Sequence, residues 1–196
     1  MARIGFKKAK YNEIDYTTKK YKTLGTSGKV PEFLPVVDES FAPEFNSAEL
    51  YGNDALQESD ESFNKGTLTI TITDDDDEFL ANLFGSTNSS NEITRKIDDT
   101  VPEMGYGHII PKIVGGTRKY KVEFFPRVKF SKITSDNKTR AESVEFSTSQ
   151  VEGTVYALGE TINNLAAGTW EIHKTFNSLS DAEDYLDELL TPAATV

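Results

Sequence analysis

Four consecutive aspartates, Asp74, Asp75, Asp76 and Asp77, followed at once by Glu78, form the densest run of oxygen ligands in this chain of 196 residues. They sit inside TLTITITDDDDEFLANLFG, residues 67–85. Calcium sites of the helix–loop–helix type space their acids as D-x-D-x-D-G and close with a glutamate. Here the acids are contiguous and no glycine follows in register, so the run does not fit such a loop. It fits a helix start better. Phe79, Leu80, Leu83 and Phe84 fall on one helical face, and Gly85 suits a C-terminal cap. An aspartate at the start can accept from free backbone N–H groups, and acidic neighbours favour the positive end of the helix dipole by about 0.3–1 kcal/mol each. Their mutual repulsion offsets part of that. An exposed acidic surface with an electrostatic task is the remaining reading.

Other chemistry is hard to assemble. His108 and His173 lack the paired spacing of metal ligands, and the parity of His173 beside Trp170 predicts a solvated side chain. There is no G-x-S-x-G nucleophile turn and no G-x-x-x-x-G-K-[ST] phosphate loop. EMGYG and VGGT read as turns. No local pattern pairs two carboxylates for glycoside hydrolysis. With no cysteine, disulfides and thiol catalysis are excluded. The segment RKYKVEFFPRVKF mixes basic and aromatic residues, but most of its aromatics take the parity opposite most of its charges. That predicts a core strand with a solvated basic face rather than a base-stacking surface. The expectation is a chain with no catalytic residues, no cofactor and no metal.

The formal charge of −11 is laid out in blocks. Residues 1–30 carry net +6, residues 31–111 net −15, residues 112–140 net +7 and residues 141–196 net −9. Such blocks can pair within a fold or between copies of it. The overall sign opposes ordinary duplex binding, which depends on neutralising phosphates. No apolar run is long enough to span a bilayer, and the basic MARIGFKKAK lacks the apolar stretch of a secretory signal.

The elements that would position these residues belong to one domain, 1–196. Residues 1–22 read as a strand or arm with Tyr11, Ile14, Tyr16 and Tyr21 among lysines. Residues 23–64 read as irregular, broken by Gly25, Gly28, Pro31, Pro35 and Pro43, yet they carry Phe33, Leu34, Val36, Val37, Phe41 and Phe45. That composition predicts either a loop folded onto its own core or an arm docked on a partner. From 65 to 176 strands dominate. Leu68, Ile70 and Ile72 alternate with Thr67, Thr69, Thr71 and Thr73, a half-buried strand. A helix over about 75–84 and a polar loop over 86–103 follow. Next comes a strand pair over 117–133 with Pro126 at an edge or bulge, then strands near 143–148, 151–158 and 169–176. Trp170, Ile172 and Phe176 share a parity that predicts core. The last segment, 177–196, holds a helix with capping-box spacing at Ser180 and Glu183 and a stripe of Ala182, Tyr185, Leu186, Leu189 and Leu190.

Taken in order, several stretches resemble the major tail protein family of long-tailed, siphophage-type bacterial viruses. They are ELYGNDALQE (49–58), KGTLTITITDDDDEFLANLFG (65–85), PEMGYGHIIPKIVGGTRKYKVEFFPRVKF (102–130), STSQVEGTVYAL (147–158) and GTWEIHKTFNSLSDAEDYLDELL (168–190). The family often has an acidic pair after the aromatic residue of the first stretch. Here the run is Tyr51-Gly52-Asn53-Asp54.

The resemblance implies a mainly β fold of the α+β kind. It would be a sandwich of two packed antiparallel sheets flanked by a helix, with a C-terminal helix and a long N-terminal arm. It implies hexameric rings stacked into a tail tube in the virion, assembled in the host bacterial cytoplasm. The tube would grow around a tape-measure protein between a tip complex and a terminator, and duplex DNA would pass through it ungripped. Some of Asp74–Asp77, or the threonine face Thr67/Thr69/Thr71/Thr73, would then face the lumen, and the stretch from Phe33 to Phe45 would reach a neighbouring subunit. Two rivals remain: a monomeric carbohydrate-binding β-sandwich, which needs an exposed aromatic platform, and a head-decoration or head–tail joining protein.

Overall fold

The computed structural model describes residues 2–3, 5–25, 28–52, 55–73, 76–89, 92–135 and 148–194. The fold is mainly β and antiparallel, with two helices. Strands run in the order β1 (Ala2–Arg3), β2 (Lys8–Asp15), β3 (Lys20–Tyr21), β4 (Val36–Gly52) and β5 (Ala55–Ile72). Helix α1 (Asp77–Phe84) follows. Then come β6 (Thr87–Ser89), β7 (Glu92–Thr94), β8 (Glu103–Val114), β9 (Thr117–Ser135), β10 (Ser149–Val155), β11 (Ile172–Phe176) and α2 (Leu179–Leu190). The strand expected near 143–148 falls mostly outside the described residues.

β6 pairs with β7 in a separate two-stranded sheet, and a nine-stranded sheet runs β3-β2-β8-β9-β10-β5-β4, with β1 on β8 and β11 on β9. The long strand β9 makes this possible. Its first half pairs with β8 and β11, its second with β10. Between them the register with β8 slips: Met104 faces Val128 while Tyr106 faces Phe125, so Pro126 and Arg127 oppose Gly105 alone. This is a bulge, placed where β11 has ended and β10 has not begun, so proline's missing N–H removes no ladder bond. The extra residue flips the side-chain parity. Val122 and Phe124 join the core under α2, whereas Phe125, Val128 and Phe130 join the other core. Parity counted straight through Pro126 therefore misplaces Lys121 and Glu123. They lie on the inner side with Phe125, not on a solvated basic face.

The first core joins Leu68, Ile70 and Ile72 of β5 to Val151 and Val155 of β10, to Phe130, and to Phe79, Leu80, Leu83 and Phe84 of α1. The second lies between the other face of β8–β9 and the Ala182, Leu186 and Leu190 stripe of α2. That helix is capped by Ser178, which accepts from Asp181 N, two residues before the expected Ser180 cap. The earlier start brings Leu179 into contact with the core. No glycine ends α2. Its last carbonyls are met instead by Asn12 Nδ2 on Leu190 O (2.9 Å) and Asn163 Nδ2 on Leu189 O (3.0 Å).

Two expected turns part company. Gly115 and Gly116, at φ 57° and 79°, do form the β8–β9 hairpin turn. EMGYG is instead central strand, and its glycines make room for neighbours. A Cβ on Gly105 would lie 2.6–2.7 Å from the fully buried Tyr21 ring, whose hydroxyl donates to Pro126 O at 3.0 Å. Gly105→Ala is expected to displace that ring and lower the stability by about 1–3 kcal/mol, read as a lower denaturant midpoint at unchanged slope.

Candidate functional site

The residues of 31–45 do not form one irregular arm. Val36–Gly52 is a strand of 17 residues paired along its length with β5, and the hairpin continues well past the core. The prolines are accommodated because Pro31 and Pro35 precede the strand and Pro43 lies beside a register slip at Glu44/Phe45 on an outer strand. Phe33 is buried, with ring centroids 4.8 Å from Phe79 and 5.1 Å from Tyr106. Leu34, Val36 and Phe41 are part-buried against the same core. Val37 and Phe45 are 56% and 52% exposed.

At the root of the hairpin, Phe63 of β5 stacks on Trp170 at 4.3 Å and 7°, with Phe41 at 6.1 Å and Phe45 at 6.4 Å from the same indole. Trp170 is thus only half-buried and lies before β11 begins, so its shared parity with Ile172 does not carry it into the core. Aromatic contacts of this kind add about 0.5–1.5 kcal/mol each beyond area burial. They tie the hairpin root to the body. Farther out, every described side chain from Glu44 to Glu49, and Ser59, Glu61, Ser62, Asn64 and Lys65 opposite, is exposed. Along its outer edge β4 has no strand partner among the described residues.

On β5, Leu68, Ile70 and Ile72 are fully buried while Thr67, Thr69 and Thr71 are half-buried and Thr73 is exposed. The threonines register with Thr154, Glu152 and Gln150 of β10 and with Ala42, Ser40 and Asp38 of β4. The threonines thus share a sheet face with Glu152, Gln150, Ser40 and Asp38, a polar face that carries acidic groups. Asp76 caps α1 by accepting from Phe79 N at 2.8 Å, Asp77 and Glu78 lie in the first turn, and Gly85 ends the helix in the left-handed region. Asp74 and Asp75 lie outside the described residues, as do Asn53 and Asp54 of the resemblance stretch. Among the described residues no group of three or more His, Asp or Glu side chains is arranged to hold a metal ion, and no helix is long and apolar enough to cross a membrane.

The densest polar cluster gathers around His108, whose partners are far from it in sequence. His108 of β8 is 1% exposed and stacks on Phe6 at 4.8 Å. Its Nε2 lies 3.2 Å from Glu123 of β9, and its Nδ1 lies 3.2 Å from Glu39 of β4. Lys121 also binds Glu123, and the Tyr106 hydroxyl donates to Glu39 at 2.7 Å. Burial opposes charge on Glu123, but hydrogen bonds from His108 and Lys121 outweigh it and hold the carboxyl down to about 2. Burial first, then the charge of Glu39, pushes the Tyr106 phenol up. The signal was present in the sequence as the bulge at Pro126, which turns Glu123 inward, but parity alone could not reveal it.

A depressed carboxyl contributes stability that is fully present above its ordinary value of 4.5 and is lost as pH falls through about 2. The wild type is therefore expected to lose denaturant stability across that acid window faster than Glu123→Gln, measured by urea midpoints at steps from pH 5 to 2. Parallel curves would remove Glu123 from the acid response.

No protein-family model and no curated protein matches the chain. Among solved structures, the chain is similar to the tube-terminating cap of the anti-feeding prophage, determined by cryo-electron microscopy. The identity is 9%, the match covers 85% of this chain and 87% of that one, and the TM-score is 0.49.

Proposed function

We propose that this chain is a structural virion protein that assembles into stacked hexameric rings forming a phage tail tube, with no catalytic role. The observation that carries this reading is the β4–β5 hairpin. A two-stranded ribbon standing in water is marginal, and a long unpaired outer strand is an association hazard that soluble monomers blunt or cover. Here the ribbon extends past the aromatic root with its described side chains exposed, and among the described residues β4 ends the sheet. Identical copies would complete both features, closing neighbouring sheets around a ring. The tail-tube resemblance of the sequence supports the same arrangement.

In that arrangement the short polar face of Thr67, Thr69 and Thr71 is the better candidate for the lumen than the acids, since Asp76 is engaged in capping α1. A wall of hydroxyls with Glu152 and Asp38 among them, within a protein of net −11, would not grip phosphates. Tape-measure, terminator and tip proteins would meet the tube along its bore and at its ends, in the virion, after assembly in the bacterial cytoplasm.

Negative-stain microscopy and sedimentation of concentrated protein test the reading. Six-fold rings or tubes are expected, and their formation is expected to weaken between low and high salt, because exposed Arg118 and the acidic hairpin belong to oppositely charged blocks. A solitary 21.8 kDa particle at every concentration and ionic strength would sink it. Sugar binding by that solitary particle would favour the carbohydrate module, for which the half-exposed Trp170–Phe63 stack is the available platform.

A further inference from the structure

The segment joining β7 to β8 carries the run Arg95-Lys96-Ile97-Asp98-Asp99, with Ile97 and Asp98 at the corner of a turn. Asp99 braces the turn twice. Its carboxylate accepts from Lys96 N at 2.8 Å, and its own N–H donates to Lys96 O at 3.2 Å. Arg95 lies over the Phe84 ring of α1, 5.5 Å from its centroid. At the tip Ile97 is fully exposed, the most exposed large apolar side chain among the described residues. Turn corners favour glycine, proline, asparagine, aspartate and serine, so a β-branched residue gains nothing there locally. A lone exposed isoleucine would still need no explanation. Two further facts set this one apart.

The first is a cavity of about 350 Å³ beside the turn. Phe84, Val101 and Ile133 give it an apolar lining, and Lys96 and Asp99 of the turn line it too. Ile97 is not among its lining residues, so a knob and a hole stand side by side on one surface. The second fact is the order of charge. Lys96 and Asp98 flank Ile97, both exposed and of opposite sign. A partner surface of one sign would gain at one flank and lose at the other. A copy of the same turn, laid antiparallel, gains at both, because each lysine then meets an aspartate.

We infer that the turn 95–99 is a two-fold docking surface for a second copy of this chain, each Ile97 entering the other copy's cavity of Phe84, Val101 and Ile133, and each Lys96 pairing with the other's Asp98. Asp99 and Arg95 already order the turn, so little freedom is lost on docking. The flanking pairs set the direction, and the buried isoleucines supply the attraction. A contact built on one turn is small, so the dimer is weak and salt-sensitive. Rings stacked into a tube are joined head to tail, which a two-fold axis does not provide. The pairing therefore lies outside the ring reading and does not rest on it.

Sedimentation equilibrium of the full chain over a concentration series tells two copies from six by mass. Lys96→Glu and Asp98→Lys leave the Asp99 brace in place and give turns flanked by one sign. Each variant alone is expected to pair about ten-fold more weakly or worse. An equimolar mixture of the two is expected to regain the parent affinity as a mixed pair, which also shows that both variants are folded. Ile97→Ser is expected to weaken pairing similarly, with no rescue from either charge variant. A parent without a two-copy species up to about 1 mM, or a mixture that pairs no better than its components, overturns the inference. So does one charge variant weakening association while the other strengthens it, which would mark a partner surface of fixed sign. Rings of six without a two-copy species would remove this inference and leave the ring reading standing. Pairs without rings would do the reverse.

Discussion

Excising residues 46–62 and joining Phe45 to Phe63 through Asn-Gly is expected to give a chain that folds and no longer forms rings. The splice is geometrically conservative. Phe45 and Phe63 are direct partners in the ladder, with ring centroids 6.0 Å apart, and an Asn-Gly pair supplies the primed turn that closes two such positions. What is removed has no described side chain in either core. What is kept includes the Trp170 stack, which anchors the shortened hairpin. Circular dichroism and a thermal transition within a few degrees of the parent are therefore expected. Assembly is another matter, because the excised ribbon is the part of the chain least complete alone. The concentration needed for rings is expected to rise by on the order of 100-fold or more, equivalent to about 3 kcal/mol of lost association energy. An excised chain that still makes tubes at the parent concentration would show that the ring is held by other surfaces.

Much of the architecture is legible in the amino-acid sequence. Alternation of Leu68, Ile70 and Ile72 with threonines needs only the two-residue period of a strand, and the α2 stripe needs only the helical period. Those signals are local, and they held. What failed was non-local. Residues 36–45 carry a proline and break their alternation at the slips between Val36 and Asp38 and between Glu44 and Phe45, so the longest hairpin of the molecule read as irregular. Gly105 and Gly107 read as a turn because glycine is permissive, whereas here it is required by the bulk of Tyr21 and Leu186 across the layer. Pro126 signals an edge or a bulge, and only a bulge reverses the face between Glu123 and Val128, so parity alone leaves Glu123 on the wrong side. The histidine–carboxylate cluster joins Glu39, His108 and Glu123 from three strands, and no spacing along the chain encodes that meeting.

The six apolar residues whose composition fits either the chain's own core or a partner are expected to separate on mutation. Phe33→Ala removes a side chain 6% exposed that sits among Tyr11, Phe79, Tyr106 and Phe130. The four rings around it belong to β2, α1, β8 and β9, so no single shift can close the void. A loss of about 3–5 kcal/mol is expected, large against a domain's whole margin, and read as a collapse of the urea midpoint. Phe45→Asp, at a position 52% exposed, removes two edge-on ring contacts and is expected to lower stability by about 1–3 kcal/mol, less than Phe33→Ala. Its effect belongs to assembly, because an aspartate facing the acidic hairpin of a neighbouring copy brings both repulsion and lost apolar contact. A Phe33→Ala protein as stable as its parent would deny that this segment is bound to its own core. A Phe45→Asp protein that assembles normally would place the ring contact elsewhere on the hairpin. The two variants thus divide the segment by physical origin: one part is held by the chain's own layers, and the other is available to a neighbour because those layers leave it uncovered.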